Sequence, residues 1–222
     1  MKLNIIKHSN EPFADRREAG RLLGDVLEAL KTDQTVVLGI PRGGLVVAKQ
    51  VAEHLDAPLD IILSRKLGAP MNPELAIGAV TEQGEVFLGD RLVREIGVEE
   101  YYLVREKARQ MAEIRRRQVA YRKICPKVDL NDKDVIVVDD GVATGSTVQA
   151  ALWSIHQERP RRLIGAFPVG PEDTLRRLSD SADGIICLRV PSFFQGVGQF
   201  YLQFGQVSEE EVLSLLGHSR KK

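Results

Sequence analysis

The thirteen-residue run VIVVDDGVATGST at positions 135–147 constrains the fold of this chain more than any other stretch. Val135, Ile136, Val137 and Val138 are four consecutive β-branched residues, a pattern suited to a strand buried on both faces of a parallel sheet. Strands of that kind end at a ligand crevice, which places Asp139 and Asp140 at its edge. Gly141 and Gly145 permit the tight backbone path that turns amide hydrogens toward an anion. Thr144, Ser146 and Thr147 add hydroxyl donors, and the helix predicted to follow presents its positive end. Carboxylates suited to sugar hydroxyls or a metal thus stand beside a nest for a phosphate, and together the two fit a ribose phosphate.

Several other chemistries are excluded. A nucleotide triphosphatase also places a magnesium aspartate after an apolar strand, but it needs a GxxxxGK[ST] loop. GIPRGG at 39–44 has no Lys-Ser/Thr pair, and the loop at 141–147 has no lysine. No GxSxG elbow is present, so nucleophilic acyl hydrolysis has no support. His8, His54, His156 and His218 share no ligand spacing, and Cys125 and Cys187 lie too far apart for a metal site, which suggests two reduced thiols. Formal net charge is zero over 222 residues, so any anion must be held by local cations. The opening MKLNIIKHSNEPF lacks the apolar core of a signal peptide. No apolar run approaches the roughly 18 residues of a membrane span. The expected compartment is the cytoplasm, without a membrane partner.

The length allows one α/β domain with a sizeable core, or one domain and a small subdomain. Asp15 and Glu18 form a capping box for a helix to about 31, with Ala19, Leu22, Leu23, Val26, Leu27 and Leu30 on its apolar side. Strands are expected at 35–40, 59–63, 75–80, 135–138, 163–167 and 185–190, with a short pairing strand at 86–88. Helices are expected at 44–55, 98–123, 146–157, from 172, and at 208–216. This alternation argues for an open, mostly parallel, doubly wound sheet with helices on both faces. The order 3-2-1-4-5, usual for such sheets, makes the strands at 35–40 and 135–138 neighbours at the switch point. The loops GIPRGG and DDGVATGST then face one crevice.

The run at 135–147 resembles the signature that binds phosphoribosyl pyrophosphate in type I phosphoribosyltransferases. Every position of the apolar–acid–acid–Gly–x–x–Thr–Gly–x–Thr pattern is filled. The resemblance implies a single domain over 1–222, with a core at about 34–190 and a base-binding hood from 1–33 and 192–222. It implies that the 5-phosphate is held by Gly141, Ala143, Thr144, Gly145, Ser146 and Thr147. Pyrophosphate falls to Pro41, Arg42, Gly43, Gly44, Arg65 and Lys66, with a strained or cis peptide expected around Pro41-Arg42. Asp139 and Asp140 hold the ribose hydroxyls, directly or through Mg2+ or its waters, and Asp139, Asp140, Arg42 and Lys66 carry the catalysis. The segment 67–84, with Gly68, Pro70, Asn72, Pro73 and Glu74, corresponds to a mobile hood over the reaction centre.

The activity so implied is transfer of the 5-phosphoribosyl group to a nitrogenous, nucleobase-like acceptor, with release of pyrophosphate, by a homodimer. The acceptor is unspecified, since no base-recognition pattern of the hypoxanthine-guanine, adenine, uracil or orotate enzymes is present. Phe193, Phe194, Phe200, Tyr201 and Phe204 could pack as core or stack on a base. The alternative is a non-catalytic regulator of the same fold that senses the donor and binds nucleic acid. Its support is a basic face at Arg105, Lys107, Arg109, Arg115, Arg116, Arg117, Arg122 and Lys123. The zero net charge and the lack of interleaved aromatics argue against a nucleic-acid partner.

Overall fold

The computed structural model describes residues 2–218. Its main sheet is built from strands whose alternate residues feed two separate cores. In β7 (Asp134–Val138) every residue is buried. Ile136 and Val138 enter one core, and Val135 and Val137 the other. β2 (Thr35–Gly39) does the same with Val37 on one side and Val36 and Leu38 on the other. Burial on both faces is what a continuous β-branched run requires, at roughly 1.5–3 kcal/mol per side chain transferred.

The first core is closed by α1 (Arg16–Leu27) through Ala19, Leu23 and Leu27, and by α2 (Gly43–His54) through Leu45, Val47 and Val51. α7 (Glu209–His218) adds Val212 and Leu216. The second core is closed by α5 (Ser146–His156) through Val148, Leu152 and Ile155, and by α6 (Glu172–Leu178) through Leu175 and Leu178. β8 (Arg162–Val169) and β9 (Gly184–Val190) continue the sheet, and β3 (Leu59–Ile61) ends it. β1 (Leu3–His8) lies at the far edge. The order is β1-β9-β8-β7-β2-β3, and every pairing is parallel.

The chain therefore has the open parallel α/β architecture expected, with β2 and β7 adjacent at the switch point. Two details differ. The strand expected at 75–80 does not extend the main sheet. It is the longer β5 (Asn72–Val80), which pairs antiparallel with β4 (Arg65–Ala69) and β6 (Val86–Leu88) in a second sheet. A return to the parallel sheet needs a crossover of a dozen or more residues, and only residues 62–71 separate β3 from β5, half of them in β4. The second difference is β1. The N-terminal segment, expected in a hood, instead hydrogen-bonds to β9, with Leu3 opposite Ile185 and Lys7 opposite Arg189. It is a half-exposed edge strand, and its weak alternation hid it from the sequence pattern.

In the chain, α3 (Asp90–Ile96) and α4 (Glu100–Tyr121) follow the second sheet and precede β7. A third, smaller core of Leu67, Ala69, Ile77, Val80 and Ile114 fixes the antiparallel sheet to α4. Arg122, just past α4, ties the layers together. Its Nη1 donates to Asp60 Oδ1 at 2.5 Å, and Nε and Nη2 donate to the Glu82 carboxylate at 2.7 Å each. Among the described residues no helix is long and apolar enough to cross a membrane.

Candidate active site

Two loops leave adjacent strands side by side. Gly39 stands opposite Val138 in the β2–β7 ladder, and the Ile40 amide donates to the Val138 carbonyl at 2.9 Å. The loop after β2 contains a cis peptide between Pro41 and Arg42, and α2 starts at the next residue. Gly43 and Gly44 then pass directly over the acid pair. A Cβ on Gly44 would lie 2.6 Å from Asp139 Oδ1, 2.7 Å from its Cα and 3.0 Å from the Val138 carbonyl oxygen. One on Gly43 would overlap the Asp140 carboxylate and reach 2.9 Å from Arg16 Nε. Only glycine permits this approach.

Both helices that start here are open at the N-terminus. Arg42 is the N-cap of α2 and Gly145 that of α5, and neither supplies a side-chain cap. In α1, by contrast, the Glu18 amide donates to Asp15 Oδ1 at 2.8 Å. First-turn amides without a cap form an anion site. Gly145 has φ +80°, the left-handed conformation glycine favours. The loop is tethered behind by the Val142 amide on the Val169 carbonyl at 2.8 Å and by Thr174 Oγ1 on the Ala143 carbonyl at 3.1 Å. Ala143, Thr144 and Thr147 are exposed.

The two carboxylates are held differently. Asp139 Oδ1 accepts from the Asp140 amide at 2.8 Å. Burial, and then the neighbouring Asp140 charge, push the Asp139 carboxyl well above the usual carboxylate range. Asp140 Oδ2 accepts from Arg16 Nε at 2.7 Å. Arg16 Nη1 also donates to the Gly205 carbonyl at 2.8 Å, and its guanidinium lies 3.9 Å from the Phe204 ring centroid. The Tyr201 hydroxyl donates to the Asp140 carbonyl at 2.5 Å. Arg16 is therefore a site residue that the sequence reading missed. An arginine in the first turn of a helix, where the dipole disfavours a cation, was the signal available.

The remaining expected residues lie as follows. Arg65 and Lys66 open β4, where successive side chains point to opposite faces. Arg65 Nε donates to Gln110 Oε1 on α4 at 2.9 Å, and burial lowers its pKa. Lys66 Nζ pairs with Glu74 Oε2 at 2.9 Å. The Ser146 hydroxyl donates to the Glu74 carbonyl at 2.6 Å, so the start of β5 lies against the loop before α5. The aromatic cluster packs largely on itself, with Tyr201 stacked on Phe204 at 5.1 Å and Phe194 on Phe200 at 5.5 Å. Phe193 stays 65% exposed. On α4, Arg109 pairs with Glu106, and Arg116 and Arg117 pair with Glu113.

A cleft of about 700 Å³ lies away from the acid pair. It lies at the N-terminal ends of β8 and β9, between Trp153, His156 and Phe87. Size alone does not make a candidate site; the convergence of uncapped helices and carboxylates does. Among the described residues no group of three or more His, Cys, Asp or Glu side chains could hold a metal alone. The acid pair does suit Mg2+, which takes one or two carboxylates and completes its shell with substrate oxygens and water.

The chain resembles known proteins over most of its length. It is 39% identical over 209 residues to two Mycobacterium tuberculosis proteins, each named "Putative phosphoribosyl transferase". The match covers 94% of this chain and 47% of theirs, so the chain spans about half the length of these curated relatives. The crystal structure of TT1426 from Thermus thermophilus is 46% identical, with a TM-score of 0.87 over 93% of this chain and 98% of that one. The profile of the phosphoribosyl transferase domain matches residues 13–204, and the protein belongs to that family.

Proposed function

We propose that the protein transfers a 5-phosphoribosyl group from phosphoribosyl pyrophosphate to a nitrogenous, nucleobase-like acceptor and releases pyrophosphate. The observation that carries this reading is the contact between the Pro41-Arg42-Gly43-Gly44 turn and the Asp139–Asp140 pair, beside the uncapped start of α5. It supports a reading in which a phosphate nest, a sugar-binding acid pair and a second anion loop act together on a sugar that is anionic at both ends.

The 5-phosphate is assigned to Gly141, Ala143, Thr144, Gly145, Ser146 and Thr147. It anchors the sugar and supplies binding energy remote from the reacting carbon. Asp139 and Asp140 take the ribose hydroxyls, and the Asp140 charge favours the cationic ribosyl centre that forms as the C1–O bond lengthens. Arg16 must yield Asp140, in whole or in part, for that contact to form. The departing pyrophosphate is stabilised by Arg42, by the amides of Gly43 and Gly44, and by Lys66. Arg65 faces α4 and is not assigned a ligand contact. Mg2+, held by Asp139 and Asp140 directly or through water, supplies further neutralisation of the leaving charge.

The regulator reading rests on the basic face of α4, but Arg109, Arg116, Arg117 and Arg122 of that face are occupied by carboxylates. Salt-dependent RNA or DNA binding is its test. For transfer, the experiment is pyrophosphate release from the donor against a panel of nucleobases, together with calorimetry of donor uptake in Mg2+. Uptake with turnover of at least one acceptor is expected. A protein that takes up no donor refutes the reading.

A further inference from the structure

The phosphate loop is engaged by another segment of the chain itself. β5 has two parts: Ala76–Val80 is buried, while Asn72, Pro73, Glu74 and Leu75 are exposed. The exposed part departs from a regular ladder. The β4–β5 ladder shifts register on both sides of Gly68, and Pro73 has no amide to donate. From this segment Glu74 makes two contacts, one through its backbone and one through its side chain. Its carbonyl accepts from the Ser146 hydroxyl at 2.6 Å, and its carboxylate pairs with Lys66 Nζ at 2.9 Å. Lys66 Nζ also reaches the Glu74 carbonyl at 3.5 Å.

We propose that Glu74 couples the two anionic ends of the site: a phosphate entering the loop displaces the Glu74 carbonyl from Ser146, and the shift of Glu74 releases Lys66 for a second anion. This rests on the transfer reading and deepens it, since Glu74 becomes a positioning residue that acts through Lys66. The energetics favour the exchange. A hydroxyl donates more strongly to a charged phosphate oxygen than to a neutral carbonyl. The Lys66–Glu74 pair is mostly solvated on the glutamate side, with 74% of that side chain exposed, and such pairs hold weakly. Lys66 would exchange one exposed carboxylate for an anion of higher charge. The coupling is reciprocal, so pyrophosphate must strengthen binding at the phosphate loop by the same factor. Direct repulsion between two bound anions acts in the opposite sense, so a net positive coupling has to come from the chain.

Calorimetry with Mg2+ present tests this on the whole protein. Pyrophosphate affinity is measured alone and with saturating ribose 5-phosphate, in the wild type, in Glu74→Ala and in Glu85→Ala. The last removes an equal charge from an exposed residue in the turn between β5 and β6. In the wild type and Glu85→Ala, ribose 5-phosphate should tighten pyrophosphate binding by about fivefold or more, the low end of coupling between protein sites. In Glu74→Ala, pyrophosphate alone should bind more tightly than to the wild type, and the coupling should vanish or reverse. Coupling absent in the wild type, or unchanged in Glu74→Ala, overturns the proposal. Failure to bind ribose 5-phosphate at all refutes the transfer reading itself, whereas binding without coupling refutes only the role of Glu74.

Discussion

Gly44→Ala tests the architecture at the point where the two loops touch. Gly44 is not in the left-handed region, so an added methyl meets a steric problem alone. Its Cβ would sit 2.7 Å from Asp139 Cα and 3.0 Å from the Val138 carbonyl oxygen, both backbone atoms, where ordinary contact begins at 3.4 Å. The loops must part by about 0.7 Å, the difference between 3.4 and 2.7 Å. Overpacking of this kind costs about 1–3 kcal/mol. For a chain of this size that lowers Tm by roughly 2–4 °C per kcal/mol. The effect on ligand binding should exceed the effect on stability, because the displacement opens the gap between the acid pair and the Pro-Arg turn. A misplacement approaching 1 Å costs up to about 100-fold, so the donor should bind about 10- to 100-fold more weakly by calorimetry. Gly205→Ala is the control: its Cβ would meet nothing within 4 Å, and it should stay within about 0.5 kcal/mol of the wild type. A Gly44→Ala protein with wild-type Tm and wild-type donor affinity would show that the loops do not abut, and the site built on their contact would fail.

Four further outcomes are expected. Asp139→Asn with Asp140→Asn should abolish pyrophosphate release while circular dichroism stays native; near-normal turnover would end the assignment of these carboxylates. Asp139→Asn alone should melt higher than the wild type at neutral pH. Its carboxyl titrates higher folded than unfolded, so the folded state retains the proton and stability falls as pH rises above about 4; a wild-type and variant Tm gap that does not widen from pH 4 to 8 would contradict this. Arg122→Ala should cost about 3–5 kcal/mol in urea unfolding, because it strands Asp60 and Glu82, whose side chains are 3% and 9% exposed. The Glu113 carboxyl is held down to about 2, first by Arg116 and also by Arg117. Its contribution is therefore present above about pH 4.3 and lost as pH falls toward 2. Glu113→Gln should destabilise by on the order of 1 kcal/mol at pH 7, after solvent screening of a partly exposed pair, and match the wild type near pH 2 in acid unfolding.

What was legible in the sequence is what depends on local pattern. β7 and β2 are continuous apolar runs, and a strand buried on both faces leaves no other reading; the Asp-Asp and Pro-Arg turns at their ends are dictated by the next few residues. Their adjacency followed from the handedness of crossovers, a rule about chain geometry and not about any contact. The antiparallel sheet was only half visible. The expected pairing of the strand at 86–88 with the one before it is that of β6 with β5, but assigning β5 to the main sheet required a crossover that residues 62–71, half of them in β4, cannot provide. Arg16 shows the limit most clearly. It reaches Asp140 across 124 positions of sequence, and no spacing rule links a first-turn arginine to a distant aspartate. Its place follows from three packing events together: α1 laid on α2, the C-terminal segment folded back so that Phe204 and Gly205 brace the guanidinium, and Gly43 leaving room beneath it. Each is tertiary, so the ion pair is readable only after the fold exists. The acid pair lies within one segment and the cation opposing it does not, which is why the sequence disclosed the carboxylates of this site and concealed their counter-charge.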